Sequence, residues 1–389
     1  TVTRIIKGKK IFFDCSIPEE IRSIMSYSSI KPEEYIRLHS YFKAGGTDQI
    51  TEFIKLFSNI TIGTNYILAP PKERKAIGIY KDGHLLNVDE EQKVLSDIAN
   101  SNRNIIGLDA HYPFLLNQNM RHVDAIIKEL ENQGTDCLCI IGRLGPQDND
   151  GVLQAMEKYF YFNGKLIIDA IILTTGYTIS SYYQNEFKNF IHSCFENFNL
   201  PVFQAITSYL SKEEFENSPS GLDIASVSLN IYQPEIDGQI ITIPIAASEE
   251  IEKDGIVGRV FVPITERVKV LCELVNRFVQ LKNKKPQERR VAIILHNYPP
   301  RNDLIGSAHG LDTPNSLWNI LQFLKEENYS LDFNFSNGQE IIDELIRRGT
   351  NEWKWTSPET IWKFKADKVS SKTYEGWYKN LPEFNRSDL

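Results

Sequence analysis

The feature that most restricts the fold is an alternation between residues 75 and 208. Short apolar runs of strand length are separated by single amphipathic segments of helix length. The runs are Ala76–Tyr80, Asn104–Leu108, Cys137–Ile141, Asp169–Leu173 and Val202–Ile206. The helical segments are Arg121–Glu131, Gly151–Phe162 and Glu186–Phe198, and in the first of them Val123, Ile126, Ile127 and Leu130 share one face. Apolar strands joined by single helices predict a parallel sheet covered on both faces, with right-handed crossovers.

Three other segments flank this block. Residues 1–72 read as mixed and mainly helical. Lys10–Phe13 suits a short strand, and Ile17–Met25 and Pro32–Phe42 suit helices, the second stopped by Gly45-Gly46. Thr47-Asp48 is the expected cap of a third helix. Residues 73–208 form the α/β domain, entered through Ala69-Pro70-Pro71. Residues 209–286 connect: Leu222–Ile231 is ambiguous, Gly238–Ala247 suits a strand and Thr265–Leu281 a long helix. Residues 287–389 read as a second α/β unit, with strands at Val291–Leu295 and Asp332–Phe335. Helices follow, one opening at Thr313-Pro314 and one at Gly338–Arg348, and the end is rich in aromatic residues. The expected fold class is α/β: two Rossmann-like or flavodoxin-like parallel-sheet units behind an N-terminal, mostly helical segment.

Composition narrows the function. A net charge of −8 over 389 residues argues against nucleic-acid binding through bulk charge. No apolar run approaches the ~20 residues of a membrane span, and the first residues do not read as a signal peptide. Five cysteines with no Cys-x-x-Cys fit a reducing cytoplasm. Cys137 and Cys139 would face one side of a strand, as a thiolate pair for metal or as small core residues, and the second reading is favoured. The chain begins at Thr1 and reads as a piece of a longer polypeptide. It has no phosphate-binding glycine motif, hence no nucleotide site of its own, and no His-Glu-x-x-His.

Candidate chemistry gathers in loops after the strands, where α/β proteins place ligands. Loops 109–113, 142–150 and 174–178 offer His111, Arg143, Asp148 and Tyr177. Arg143 is either a solvated surface residue or a carboxylate anchor. Asp148-Asn149-Asp150 is either a cation loop or, preferably, the cap of the next helix. The loop after Val291–Leu295 offers His296, Asn297, Tyr298, His309 and Asp312. Two histidines can shuttle protons or bind metal, though lone histidines more often do neither. Asp312 can simply support the following helix. The aromatic residues Trp353, Trp355, Trp362, Tyr374, Trp377 and Tyr378 suit helix packing, with a ring-stacking surface as the alternative.

Several segments resemble one family. They are Arg290-Val291-Ala292-Ile293, Asn297-Tyr298-Pro299, Gly306, Gly310-Leu311-Asp312-Thr313-Pro314 and Ser316-Leu317. Others are Tyr41–Gly46, Leu200–Ile206, Pro234–Gly238, Thr350-Asn351-Glu352 and Tyr374–Tyr378. Together they are similar to the large subunit of the class I metal chelatases of tetrapyrrole biosynthesis. These are the cobaltochelatase large subunit and, less closely, the corresponding large subunit of magnesium chelatase. The resemblance implies a tetrapyrrole-binding fragment of an ATP-dependent chelatase. Cobalt or magnesium is then a substrate, and ATP and Mg sit on an AAA+ ATPase partner beside a companion subunit. It implies no cofactor or resident metal on this chain, and no activity for the fragment alone. His296 and His309 are the catalytic candidates; Arg143, Tyr298, Asn297, His111, Tyr177 and Asp312 are the substrate-binding ones. The alternatives are a non-catalytic ligand-binding or assembly module with a cleft between two α/β units, and a hydrolase using loop Asp or His residues.

Overall fold

The computed structural model describes residues 30–72, 75, 77–143, 151–180, 193–253, 256–332, 335–349, 355–364 and 368–387. The expected elements at Lys10–Phe13 and Ile17–Met25, the Asp148-Asn149-Asp150 loop, Trp353 and most of the Glu186–Phe198 helix lie outside those residues. The chain divides into two compact units, Thr1–Gln280 and Leu281–Leu389.

The first unit opens with helices α1 (Pro32–Ala44) and α2 (Gly46–Ile62). Tyr35, Leu38 and Tyr41 of α1 pack on Leu56 and Ile60 of α2. Gly45 and Gly46 both take positive φ, 64° and 81°, so the chain turns directly from one helix into the next. Gly45 is therefore the cap, and the expected Thr47-Asp48 cap is not formed.

An eight-stranded sheet follows. Its strands are β1 (Gly78–Lys81), β2 (His84–Leu85), β3 (Ile105–His111) and β4 (Asp136–Gly142). Helix α3 (Val88–Ala99), capped by Asn87, joins β2 to β3, and the short α4 (Tyr112–Leu116) leaves β3. Helix α5 (Arg121–Asn132) then leads into β4. A separate hairpin, β5 (Tyr161–Phe162) with β6 (Lys165–Leu166), shortens the expected helix at Gly151–Phe162 to α6 (Val152–Tyr159). The remaining strands are β7 (Ala170–Leu173), β8 (Val202–Ser208), β9 (Ile240–Lys253) and β10 (Ile256–Pro263). Between β8 and β9 lies α7 (Lys212–Asn217), which Ser211 caps by accepting from the Glu214 N–H.

The strands stand in the order β10-β9-β8-β7-β3-β4-β1-β2. Strands β4, β3, β7, β8 and β9 are mutually parallel, while β1 and β10 run antiparallel at the two sides. Read in chain order, the parallel strands stand 2-1-3-4-5, the flavodoxin-like arrangement. The winding reverses between β3 and β7, which opens a crevice at their carboxyl ends.

Both faces are covered, as the apolar runs require. On one, Ile106, Leu108 and Ala110 meet Val123, Ile126 and Leu130 of α5. Leu271 and Val275 of the long helix Thr265–Asn283 pack there too. On the other, Ile140, Ile171 and Leu173 meet Met156, Tyr159 and Phe160. Gly107 makes the second face close-fitting: a Cβ there would stand 2.7 Å from Phe160 Cζ. Each fully buried Leu or Ile contributes about 2 kcal/mol through its removal from water, so the two faces hold the sheet together.

Among the described residues the second unit contains helices and no sheet. Val291–Leu295, expected as a strand, is an irregular segment with Val291, Ile293 and Ile294 exposed. A strand needs a hydrogen-bonding neighbour, and no described strand of this unit offers one. The described ends of the segment at Asp332–Phe335 are likewise irregular. The helices Thr313–Glu326 and Gly338–Arg348 form the frame of this unit. They touch where Gly338 has no side chain; a Cβ there would meet the Pro314 carbonyl oxygen at 2.1 Å.

Candidate functional site at the carboxyl edge of the sheet

Three of the expected site residues meet at one end of the sheet. His111 ends β3 and is paired in register with Gly142, the last residue of β4; Arg143 follows directly. Tyr177 lies in the loop after β7, the other neighbour of β3. The parallel pairing puts all three at the crevice where the winding reverses.

The Arg143 guanidinium lies over the Tyr112 ring, 4.6 Å from its centroid. A cation on an aromatic face keeps its N–H fork free for a carboxylate. His111 is largely buried, which lowers its pKa to about 4 against a hydrogen bond to the Gly142 backbone. Its ring is therefore neutral at pH 7, and its Nδ1 has no partner. A neutral imidazole with a free lone pair suits an N–H donor or a metal ion.

Behind this rim lies a row of buried polar groups that sequence reasoning missed. Asp109, inside β3, is fully buried. Its Oδ2 accepts from Thr175 Oγ1 at 2.8 Å, and its Oδ1 has no partner. Burial pushes its carboxyl up to about 7, the Thr175 hydrogen bond opposing. Gln204, Ser208, Ser226 and Asn230 are also buried. The visible signal was a carboxylate interrupting the apolar run Ile105-Ile106-Gly107-Leu108-Asp109.

Aromatic rings continue along this side. His111 meets Phe114 edge-on at 5.9 Å, Phe114 meets His122 at 4.8 Å, and His122 meets Phe261 at 5.5 Å. Phe261 meets Tyr209, beyond the end of β8, at 6.1 Å. Burial raises the Tyr209 phenol, and the nearby Tyr177 phenol adds to this.

A cavity of about 620 Å³ lies in the same unit, bounded by Thr47, Lys75, His84, Tyr112, Leu115 and Leu116. Its size falls in the range of small-molecule sites. Among the described residues no group of three His, Cys, Asp or Glu side chains is arranged to hold a metal ion. Cys137 and Cys139 carry thiols raised by burial, the behaviour of core residues.

The remaining expected residues lie in the second unit. His296 and His309 are both exposed. The His296 ring lies 6.4 Å from that of Tyr298, and its carbonyl accepts from the Gly306 N–H at 2.8 Å. Asn297 Oδ1 accepts from the Arg301 N–H at 3.4 Å. Asp312 caps the helix Thr313–Glu326, accepting from the Asn315 N–H at 3.2 Å and its Nδ2 at 2.6 Å.

The profile of the CobN/magnesium chelatase family matches residues 39–389. The chain belongs to that family. It is 25% identical over 369 residues to the aerobic cobaltochelatase subunit CobN of Pseudomonas aeruginosa, across 93% of this chain and 28% of that one. It is 32% identical over 319 residues to an uncharacterized protein of Methanocaldococcus jannaschii, across 80% of this chain and 26% of the relative. The solved catalytic subunit of cobaltochelatase from Mycobacterium tuberculosis shares the fold, with a TM-score of 0.60 at 20% identity over 93% of this chain and 28% of that one. This family chain thus spans about a quarter of the length of these relatives. Among the described residues no helix is long and apolar enough to cross a membrane.

Proposed function

We propose that this chain is a tetrapyrrole-binding portion of a metal chelatase that inserts cobalt into a corrin-ring precursor. Cobalt is preferred over magnesium because a relative matching 93% of the chain carries the cobaltochelatase name. Insertion of magnesium into protoporphyrin is the alternative within the family. The observation that carries the reading is the rim of the first unit. There Arg143 stacks on Tyr112, His111 holds a free, neutral imidazole nitrogen, and Tyr177 stands across β3 from them.

Replacing two pyrrole protons by a divalent metal needs anchors for the ring's carboxylates, a flat surface and lone pairs near the ring nitrogens. Arg143 anchors a carboxylate bidentately. Tyr177 stacks on the ring. His111 Nδ1 is buried and unpaired, so it reaches a pyrrole N–H or the incoming ion only when the rim around it opens. The second unit carries candidate groups of its own: His296 and His309 for proton transfer, and Tyr298, Asn297 and Asp312 for polar contacts to substrate. The metal is a substrate, delivered and consumed. ATP is hydrolysed with Mg on an AAA+ partner, a companion subunit completes the complex, and the chain alone is inactive. The unpaired Cys137, Cys139, Cys194 and Cys272 suit a reducing cytoplasm.

The test is a titration of the chain with metal-free deuteroporphyrin, a dicarboxylic ring, followed by its Soret band. A saturable shift that weakens on Arg143→Ala supports the reading. No change at ~100 µM ring rejects ring binding and leaves an assembly module.

A further inference from the structure

The loop after β7 is fastened to an unusual stretch of helix. Residues Ser228–Tyr232 wind as a π turn between α8 (Ile224–Val227) and α9 (Gln233–Ile236). A π turn interrupts the regular α-helical hydrogen-bond ladder. Here the Leu229 carbonyl accepts from the Tyr177 N–H at 2.8 Å. Gly176 permits the approach: a Cβ there would stand 3.0 Å from the Leu229 oxygen and 3.3 Å from Asn230 Oδ1. Tyr177 is left with φ of 85°, in the region that favours glycine.

Both flanks of the loop are tied down by buried carboxylates. Upstream, the Asp109 carbonyl accepts from Thr174 N–H and Oγ1, and Asp109 Oδ2 accepts from Thr175 Oγ1. Downstream, the Asp237 carboxylate accepts from the N–H groups of Ile179 at 2.6 Å and Ser180 at 3.3 Å. Thr178 donates through Oγ1 to the Gln233 carbonyl and through its N–H to Gln233 Oε1. Yet the Tyr177 ring is only half-buried, and its hydroxyl makes no hydrogen bond among the described residues. The fold would be served better by glycine at this position. Strain of this kind persists where the surroundings over-determine it and function uses it.

We propose that the π turn and Asp237 are positioning elements that hold the Tyr177 ring out at the carboxyl edge of the sheet, as a stacking surface for a planar conjugated ligand. Gly176 and Asn230 set the closeness of the contact. This deepens the ring-binding reading above and rests on it.

The test is a set of variants of the full chain, each measured by deuteroporphyrin titration and by its unfolding midpoint. Tyr177→Gly raises the midpoint, because it relieves the backbone, and lowers ring affinity at least tenfold. Tyr177→Asn, which tolerates the left-handed backbone but lacks the ring, loses affinity equally. Tyr177→Phe keeps it. Asp237→Asn lowers affinity in the parent chain but causes no further loss in the Tyr177→Gly background. Gly176→Ala, a milder push against the Leu229 carbonyl, behaves the same way if Asp237→Asn fails to fold. A Tyr177→Gly chain that binds like the parent, or additive losses across the cycle, overturns the proposal. If the parent itself gives no Soret change, the ring-binding reading fails. The positioning device is then judged on midpoints alone: coupling between Tyr177→Gly and Gly176→Ala keeps it, and additivity removes it.

Discussion

Thr175 Oγ1 donates to Asp109 Oδ2 at 2.8 Å inside the sheet, and this hydroxyl is the one group that opposes the effect of burial on the carboxyl. The acid consequently titrates near pH 7 in the folded chain and near 4 when unfolded. Between those values the folded state binds the extra proton, so this group's contribution to stability is full below pH 4 and is lost as pH rises to 7. The change is on the order of 4 kcal/mol. Asp109→Asn should remove it. Urea midpoints of parent and variant, compared at pH 5 and pH 8, should lie closer together at the lower pH and favour the variant more strongly at the higher. A constant difference between the two proteins would contradict the assignment.

His122 works in the opposite direction. It is fully buried, neither ring nitrogen has a partner, and burial lowers its pKa to about 3. The unfolded chain takes up a proton below pH 6.5 and the folded chain does not, so stability falls as pH drops from 6.5 toward 3. At pH 5 the loss is about 2 kcal/mol. His122→Phe fits between Phe114 and Phe261, which already meet the imidazole edge-on. It should make the midpoint at pH 5 less sensitive to acid. An acid sensitivity equal to that of the parent would place the labile group elsewhere.

Arg143 is expected to read carboxylates through its planar fork. Arg143→Lys keeps the charge but loses both the fork and the stack on Tyr112. Deuteroporphyrin affinity should fall about tenfold, the equivalent of about 1.4 kcal/mol. The dimethyl ester of the same ring should bind the two proteins alike. An ester that still discriminates between them would mean Arg143 acts by shaping the site.

Asp312 is a helix cap before it is anything else. Its carboxylate satisfies the Asn315 N–H. Asp312→Ala should cost about 1 kcal/mol of stability, whereas Asp312→Ser should recover most of it. Ring affinity measured in the Asp312→Ser chain then separates the two roles: unchanged affinity marks a cap only, and a loss marks a substrate contact.

Much of the sheet was legible because its central strands announce themselves locally. Cys137–Ile141 and Val202–Ile206 are apolar, short and bounded, and they fall inside β4 and β8. The helix expected to reach Phe162 stops early at a hairpin around Asn163 and Gly164, both at positive φ. That Asn-Gly pair is a turn signal readable in the sequence. Val291–Leu295 looks equally strand-like, but a strand is a relation between two segments and one run cannot supply its neighbour. His111, Arg143 and Tyr177 could be placed at strand ends by counting. Asp109 could not be given a role that way, because its partner Thr175 lies 66 residues on, across the β3–β7 pairing.

The unpaired segment also has a bearing on handling. Val291, Ile293 and Ile294 are 57%, 39% and 91% exposed, and they stand next to one another in a β-prone stretch without proline. Such a stretch is a template for cross-strand aggregation between molecules. Arg289 and Arg290 sit immediately before it as charged gatekeepers. The apolar run and the two charges before it are thus a local aggregation liability of this chain, one that its net charge of −8 does not describe.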